Sequence, residues 1–214
     1  EKETGVPAKI LLGILGVETS FGKLQGRYKV IDSLYTLAIG YPPQSEFFRK
    51  ELISLFYLSK EQDLSITEIK GSYAGAMGAP QFIASSYRAY AVDGDGDGKI
   101  NLFESWEDIL MSIGNYLNQN GWKESQDIIN RLQINPQQME KLASKNWRAI
   151  STIGDLIEAG IQLNPLLGKN EKAQVVYLEG TKSDEEAVIG LHNFYVITTY
   201  NRNVMYALAV LELG

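Results

Sequence analysis

One ionisable group in this chain is delivered out of wholly apolar surroundings. All eight residues from Ile10 to Val17 are aliphatic or glycine, and Glu18 follows them directly. Such a run after Pro7 predicts a helix buried on all sides, with Gly13 and Gly16 on one face where another backbone can approach closely. The run breaks at Ser20-Phe21-Gly22. Near the negative end of the helix dipole and beside apolar surface, the charged form of Glu18 is disfavoured, so its pKa is expected to rise. A carboxylic acid kept protonated near neutral pH is what a general acid needs. The structural alternative is a helix-end glutamate in water, paired with Lys23. Structural glutamates far outnumber catalytic ones.

A second chemical stretch is Asp93-Gly94-Asp95-Gly96-Asp97-Gly98-Lys99-Ile100-Asn101-Leu102-Phe103-Glu104. Alternating aspartates aim carboxylates inward, Gly98 makes the sharp turn, Lys99 offers a carbonyl, and Ile100 is the apolar anchor. Glu104 holds the twelfth place, so every position fits a calcium loop. The alternative is an acidic solvated turn. Calcium sensors pair such loops and this chain has one, so a structural ion is expected rather than a switch.

A third stretch, Gly71 to Phe82, is built from small, apolar and aromatic residues, with Ser72 and Gln81 the clear polar side chains. Small residues let a ligand reach backbone N–H and C=O groups. They also suit a tight helix-packing loop, and composition alone leaves both open.

The scarce residues exclude whole classes of chemistry. The chain has 214 residues, no cysteine and one histidine, His192. Thiol nucleophiles, disulfides and multi-histidine zinc sites are ruled out, and no Walker-type phosphate loop appears. His192 itself is read as a structural polar residue. Acid–base work falls to carboxylates or tyrosines, and no organic cofactor is expected. A net charge of −6 and an isoelectric point of about 5.0 argue against nucleic acid as a partner. No apolar run approaches the ~20 residues that span a bilayer. The chain opens without a methionine or signal-like segment and is read as trimmed from a longer one.

The elements that must position these groups follow in order. Helices are expected at Ile31–Ile39, with Asp32 as cap, and at Ser45–Lys60, with Phe48, Leu52, Leu55, Phe56 and Ser59 as its core stripe. Two more are expected at Gln81–Ala91 and Glu107–Asn120. From Lys123 to Gly168 the pattern weakens into short helices, clearest at Ser151–Gly160. Ala173–Leu178 and Ala187–Ile189 read as two strands about a turn at Thr181–Asp184. A last helix runs from Asn203 to Leu213.

Taken together, GVETSFG, KGSYAGAMGAPQFIASSYRAYAVD, DGDGDGKINL, NYL with GW, and NFYVITTYNRNVMYALAV resemble the membrane-bound lytic murein transglycosylase B family. The likeness is collinear over Gly5 to Trp122 and again from Val175 to the C-terminus. It implies a mainly α, α+β fold: a lysozyme-like helical core with a single EF-hand-like calcium loop and a small β element. Residues 1–122 would form the catalytic core with the calcium loop, 123–172 a helical insertion, and 173–214 the β element and C-terminal helix completing the core.

The resemblance implies roles residue by residue. Glu18 matches the catalytic acid/base. Ser72 and Gln81 match polar residues of the sugar site, and Tyr116, Tyr200 and Tyr206 match aromatic residues around it, with Asn201 beside Tyr200. The family's calcium loop is longer than the general pattern and closes on a later acid, which alignment on Asn115-Tyr116 puts at Asp108 instead of Glu104. The implied metal ligands are Asp93, Asp95, Asp97, Lys99 and Asp108, around a structural Ca2+. Pro80 departs from the small residue common before the glutamine, and removes one N–H that substrate could use. The family also has sequence before Glu1, including part of the sugar groove.

The implied activity is lytic cleavage of the bond from N-acetylmuramic acid to N-acetylglucosamine in peptidoglycan, leaving 1,6-anhydromuramic acid ends. The implied partner is the glycan strand, met by an exported monomer in the periplasm or cell envelope; whether the full-length form carries a lipid anchor stays open. Two other readings stay open: a hydrolytic muramidase, and a non-catalytic, calcium-stabilised glycan-binding module.

Overall fold

The computed structural model describes residues 1–133, 136–164, 167–176 and 186–214. The turn expected at Thr181–Asp184 lies outside them, as does the end of the first expected strand. The chain forms two compact units, residues 1–119 with 210–214 and residues 120–209.

The first unit is helical. It holds α1 (Ala8–Thr19), β1 (Tyr28–Lys29), α2 (Val30–Gly40), α3 (Ser45–Glu61), β2 (Lys70–Gly71), α4 (Ala84–Tyr90) and α5 (Trp106–Gln119). α1 follows Pro7 and stops where Ser20, Phe21 and Gly22 all take positive φ. The Phe21 N–H bonds back to the Leu15 carbonyl, closing the helix end.

α1 is not buried on all sides as expected. Ile10, Leu11, Ile14 and Leu15 are buried, but Leu12 is 44% exposed. The apolar run is continuous, yet one strip of the helix, at Leu12, is left facing solvent. Gly13 is on the buried face: a Cβ there would lie 2.1 Å from the Val210 carbonyl oxygen. The missing side chain lets the two backbones meet.

α2 opens one residue before the expected start, so Asp32 sits in its first turn rather than capping it. On α3, Phe48 and Leu55 are buried as expected, but Phe56 is 55% exposed and Leu58 takes its place inside. Glu51 is also buried, because its carboxylate accepts the Ser85 N–H at 2.9 Å and the Ser85 hydroxyl at 2.7 Å. These bonds satisfy donors in the first turn of α4.

The second unit contains β3 (Ile129–Gln133), α6 (Pro136–Leu142), β4 (Ala143–Ser144), β5 (Ser151–Thr152), α7 (Ile153–Glu158), β6 (Lys172–Val176), β7 (Glu186–Gly190), α8 (His192–Tyr200) and α9 (Val204–Leu213). The last residues of α9, from Val210, belong to the first unit. The expected strands are present as β6 and β7, antiparallel with Val175 opposite Ile189. The stretch 123–172, expected to be helical, contributes α6 and α7 but also three strands. β3 pairs antiparallel with β7, β4 parallel with β6, and β5 antiparallel with β6. Their sequences are short and polar, so the sheet partner rather than local periodicity makes them strands. Ile153, Leu156, Ile161, Ala173, Val175, Ala187, Ile189 and Leu191 form this unit's core. The division thus differs from that expected at 122 and 172, since the middle stretch and the hairpin share one core.

Candidate active site and acidic loop

Glu18 lies in the last turn of α1 and is half-buried. Its neighbour Thr19 is buried and ties that turn to the small-residue loop. The Thr19 hydroxyl donates to the Ala79 carbonyl oxygen at 2.9 Å and accepts the Gly22 N–H at 2.9 Å. The helix end that carries the carboxylate is therefore fixed to the 71–82 loop by one side chain.

The loop is held by its own two polar side chains. Ser72 Oγ accepts the N–H groups of Ala76, at 3.1 Å, and Ala74, at 3.3 Å. Its O–H remains a donor for something else. Gln81 adopts φ 53°, and its Nε2 donates to the carbonyls of Gly78 at 2.9 Å and Gln25 at 3.2 Å. With both amide protons directed there, Oε1 is the face it offers to other groups. Pro80 is buried.

The remaining expected residues divide between the units. Tyr116, on α5, packs its ring 5.9 Å from Phe82 at the loop's end and edge-on to Tyr90 at 4.8 Å. Tyr200, Asn201 and Tyr206 belong to the second unit, where α8 turns into α9. There the rings of Tyr200 and Tyr206 stack at 6.2 Å with 8° between their planes, and Asn201 is exposed. His192 lies elsewhere in that unit, its Nε2 2.7 Å from the Gly121 carbonyl oxygen.

In the acidic loop, carboxylate oxygens of Asp93, Asp95 and Asp108 lie within 4.8 Å of one another. Asp108 is 1% exposed and accepts the Gly94 N–H at 2.7 Å and the Asn101 N–H at 2.6 Å. Asp93 accepts the N–H groups of Gly96 at 2.7 Å and Gly98 at 2.8 Å. These backbone donors, Gly98 first, hold its pKa below the ordinary aspartate value, so it stays an anion. Asp97 turns to the Lys99 N–H at 2.8 Å and is outside the group of three, as is the exposed Glu104. Three carboxylates at this separation, one of them buried, fit a hard cation that takes oxygen ligands.

The acidic loop and the small-residue loop are joined. The Ala79 N–H donates to the Leu102 carbonyl at 2.8 Å, and the Gln25 Nε2 donates to the Phe103 carbonyl at 2.9 Å. Gly78 is required here, because a Cβ would come within 2.3 Å of the Leu102 oxygen. Beneath them the Tyr87 hydroxyl donates to the Ile100 carbonyl at 2.7 Å, and burial pushes its pKa up to about 12.

Thr19 and Gln25 were not singled out by sequence reasoning. Thr19 had one usable signal, a hydroxyl residue next to the carboxylate at a helix end. Gln25 had none, since its partners are carbonyls far along the chain.

Comparison with known proteins agrees over the whole chain. The family model described as Transglycosylase SLT domain matches residues 1–214. The membrane-bound lytic murein transglycosylase B of Escherichia coli (strain K12) is 36% identical over 210 residues, 98% of this chain and 56% of that protein. The chain thus spans about half the length of this curated relative. Among solved structures, the catenated lytic transglycosylase SltB1 from Pseudomonas aeruginosa is 44% identical with a TM-score of 0.93, over 100% of this chain and 70% of that one. The Escherichia coli lytic transglycosylase Slt35, in complex with calcium, is 34% identical with a TM-score of 0.87, over 100% of this chain and 66% of that one. The chain belongs to the transglycosylase SLT domain family.

Proposed function

We propose that this chain is the catalytic part of a lytic transglycosylase that cuts peptidoglycan between N-acetylmuramic acid and N-acetylglucosamine. The observation that carries the reading is Glu18, at the end of a largely buried helix in a chain of this family, tied through Thr19 to the 71–82 loop. Protonated Glu18 gives its proton to the glycosidic oxygen as the bond to C1 breaks. The carboxylate left behind takes the proton of the muramoyl C6 hydroxyl, whose oxygen bonds to C1. A 1,6-anhydro ring closes, no water is consumed, and Glu18 returns to its acid form. A tethered hydroxyl acts at effective molarities of ~10⁵ M or more, well above that of bulk water.

Ser72, Gln81, Tyr116, Tyr200, Asn201 and Tyr206 are proposed to hold the sugars. The loop geometry supports the first two, which still present a hydroxyl proton and an amide oxygen. Tyrosine adds a face to stack on a ring and a hydroxyl to bond it. The acidic loop is proposed to bind calcium through Asp93, Asp95 and Asp108, with Asp97 and the Lys99 carbonyl completing the set. Bound calcium would neutralise carboxylates that otherwise repel. Among the described residues no helix is long and apolar enough to cross a membrane. The proposed setting is the cell envelope, with the protein acting as a monomer.

Digestion of purified peptidoglycan in ¹⁸O-labelled water tests the reaction. Muramoyl ends should be unlabelled and lighter by one water than hydrolysis products. Ends that carry ¹⁸O would make the enzyme a hydrolytic muramidase.

A further inference from the structure

The outer face of α3 carries apolar side chains that nothing in the first unit covers. The inner face turns Phe48, Leu55 and Leu58 into the core. On the other side, at helical spacing, stand Arg49, Ile53, Phe56, Tyr57 and Lys60, all exposed and within one stripe about 100° wide. Ile53 is 56% exposed, Phe56 55% and Tyr57 56%. Single apolar residues scattered on a surface are ordinary, but three adjoining ones on one helix mark an interaction surface.

The charges around the stripe do not balance. Glu46 is engaged by the Lys50 ammonium at 2.8 Å, one turn along the helix. Glu61 accepts two bonds of 2.7 Å from the Arg88 guanidinium, and Glu51 is buried against Ser85. Every carboxylate of α3 is thereby occupied. Arg49 and Lys60 form no ion pair among the described residues. They bracket the apolar segment, about 16 Å apart along the axis at 1.5 Å per residue. The Arg88 guanidinium also lies 5.0 Å from the centre of the Tyr57 ring and helps to hold it.

We propose that this face of α3 docks on an anionic phospholipid surface. Ile53, Phe56 and the Tyr57 ring enter the boundary between headgroups and acyl chains, and Arg49 and Lys60 meet lipid phosphates. An apolar stripe with cations beside it is the pattern of a helix lying in a membrane interface. The long stems of Arg49 and Lys60 add apolar length while their charged heads stay at headgroup level. The inference involves neither Glu18 nor any proposed sugar contact, and it stands apart from the proposed reaction.

Charge and shape favour a lipid surface over a protein partner. A stripe on the outside of one helix presents a convex line of side chains, which a deformable bilayer surface can surround. The whole chain carries −6, yet exposed charges more than ~8–10 Å away are largely screened at physiological salt. The local excess of two cations therefore sets the attraction at this face.

Co-sedimentation of the full chain with vesicles tests the proposal. Vesicles of equal phosphatidylglycerol and phosphatidylcholine should bind the protein, and phosphatidylcholine alone much less. Raising the salt from 50 to 500 mM should weaken the binding. Arg49→Gln and Lys60→Gln should each lower the partition coefficient about fivefold, and Phe56→Ser about tenfold. These side chains are exposed, so melting curves should barely change, and the two charge variants keep the test open if Phe56→Ser folds poorly. Ile150→Ser, which removes an exposed apolar side chain of the second unit, is the control and should bind as the parent does. Cleavage of soluble glycan strands should be the same in all of them. The proposal is overturned if the protein ignores phosphatidylglycerol, or if binding survives all three α3 changes. It is also overturned if these changes abolish self-association in sedimentation velocity while leaving vesicle binding intact, which would make the face a contact between copies.

Discussion

The buried hydroxyl of Thr19 donates to the carbonyl oxygen of Ala79 across a sequence separation of 60 residues, at 2.9 Å. It also receives the Gly22 N–H, so it fixes both the turn after Glu18 and the loop that faces it.

Thr19→Val keeps the shape and leaves two backbone groups unsatisfied, at a cost of ~1–3 kcal/mol. Displacement of the Glu18 turn should lower kcat more than it raises KM, and Thr19→Ser should restore most of the loss. Steady-state kinetics on peptidoglycan with matched melting curves check this. A folded Thr19→Val protein with the original kcat would remove the positioning role.

Glu18→Gln keeps the side chain's size and removes the transferable proton. Cleavage should fall by at least ~10², with the melting temperature little changed. Muropeptide release measured by mass spectrometry is the readout. A folded variant that still cuts would remove Glu18 as the catalytic acid.

Calcium should raise the melting temperature, by an amount corresponding to roughly 2.7 kcal/mol at about a hundredfold excess over its Kd. Magnesium should do much less. Asp108→Ala should abolish the calcium response, whereas Glu104→Ala should keep it, because the Glu104 carboxylate is outside the clustered oxygens. Differential scanning calorimetry with calcium and with chelator distinguishes these outcomes. A response lost with Glu104 and kept with Asp108 would reverse the assignment.

Gly13→Ala places a methyl group 2.1 Å from the Val210 carbonyl oxygen. Either the helices part or the backbone shifts, which should destabilise the protein by ~1–3 kcal/mol or more. Gly40→Ala is the control, since nothing lies within 4 Å of its added Cβ. Urea denaturation should show a lower midpoint for the first and almost none of that loss for the second.

The sequence by itself determined the features that arise from neighbouring residues. The helix from Ala8, its break after Thr19, the register of the aspartates and the β6–β7 strands all follow from local pattern, glycine placement and charge repulsion. The close approach at Gly13 could be anticipated because only small residues admit a backbone. Periodicity failed where burial depends on what lies opposite. Leu12 and Phe56 are apolar yet exposed, Glu51 is charged yet buried against Ser85, and β3 is a strand because β7 is beside it. The site needed the fold most. Hydrogen bonds act over about 3 Å, whereas Thr19 and Ala79, Gln25 and Phe103, or Asp93 and Asp108 are separated along the chain and meet only in space. The choice between Glu104 and Asp108 as the acid nearest Asp93 and Asp95 is of this kind. Glu104 has the right spacing along the chain, but α5 begins at Trp106 and carries Asp108 inward on its first turn.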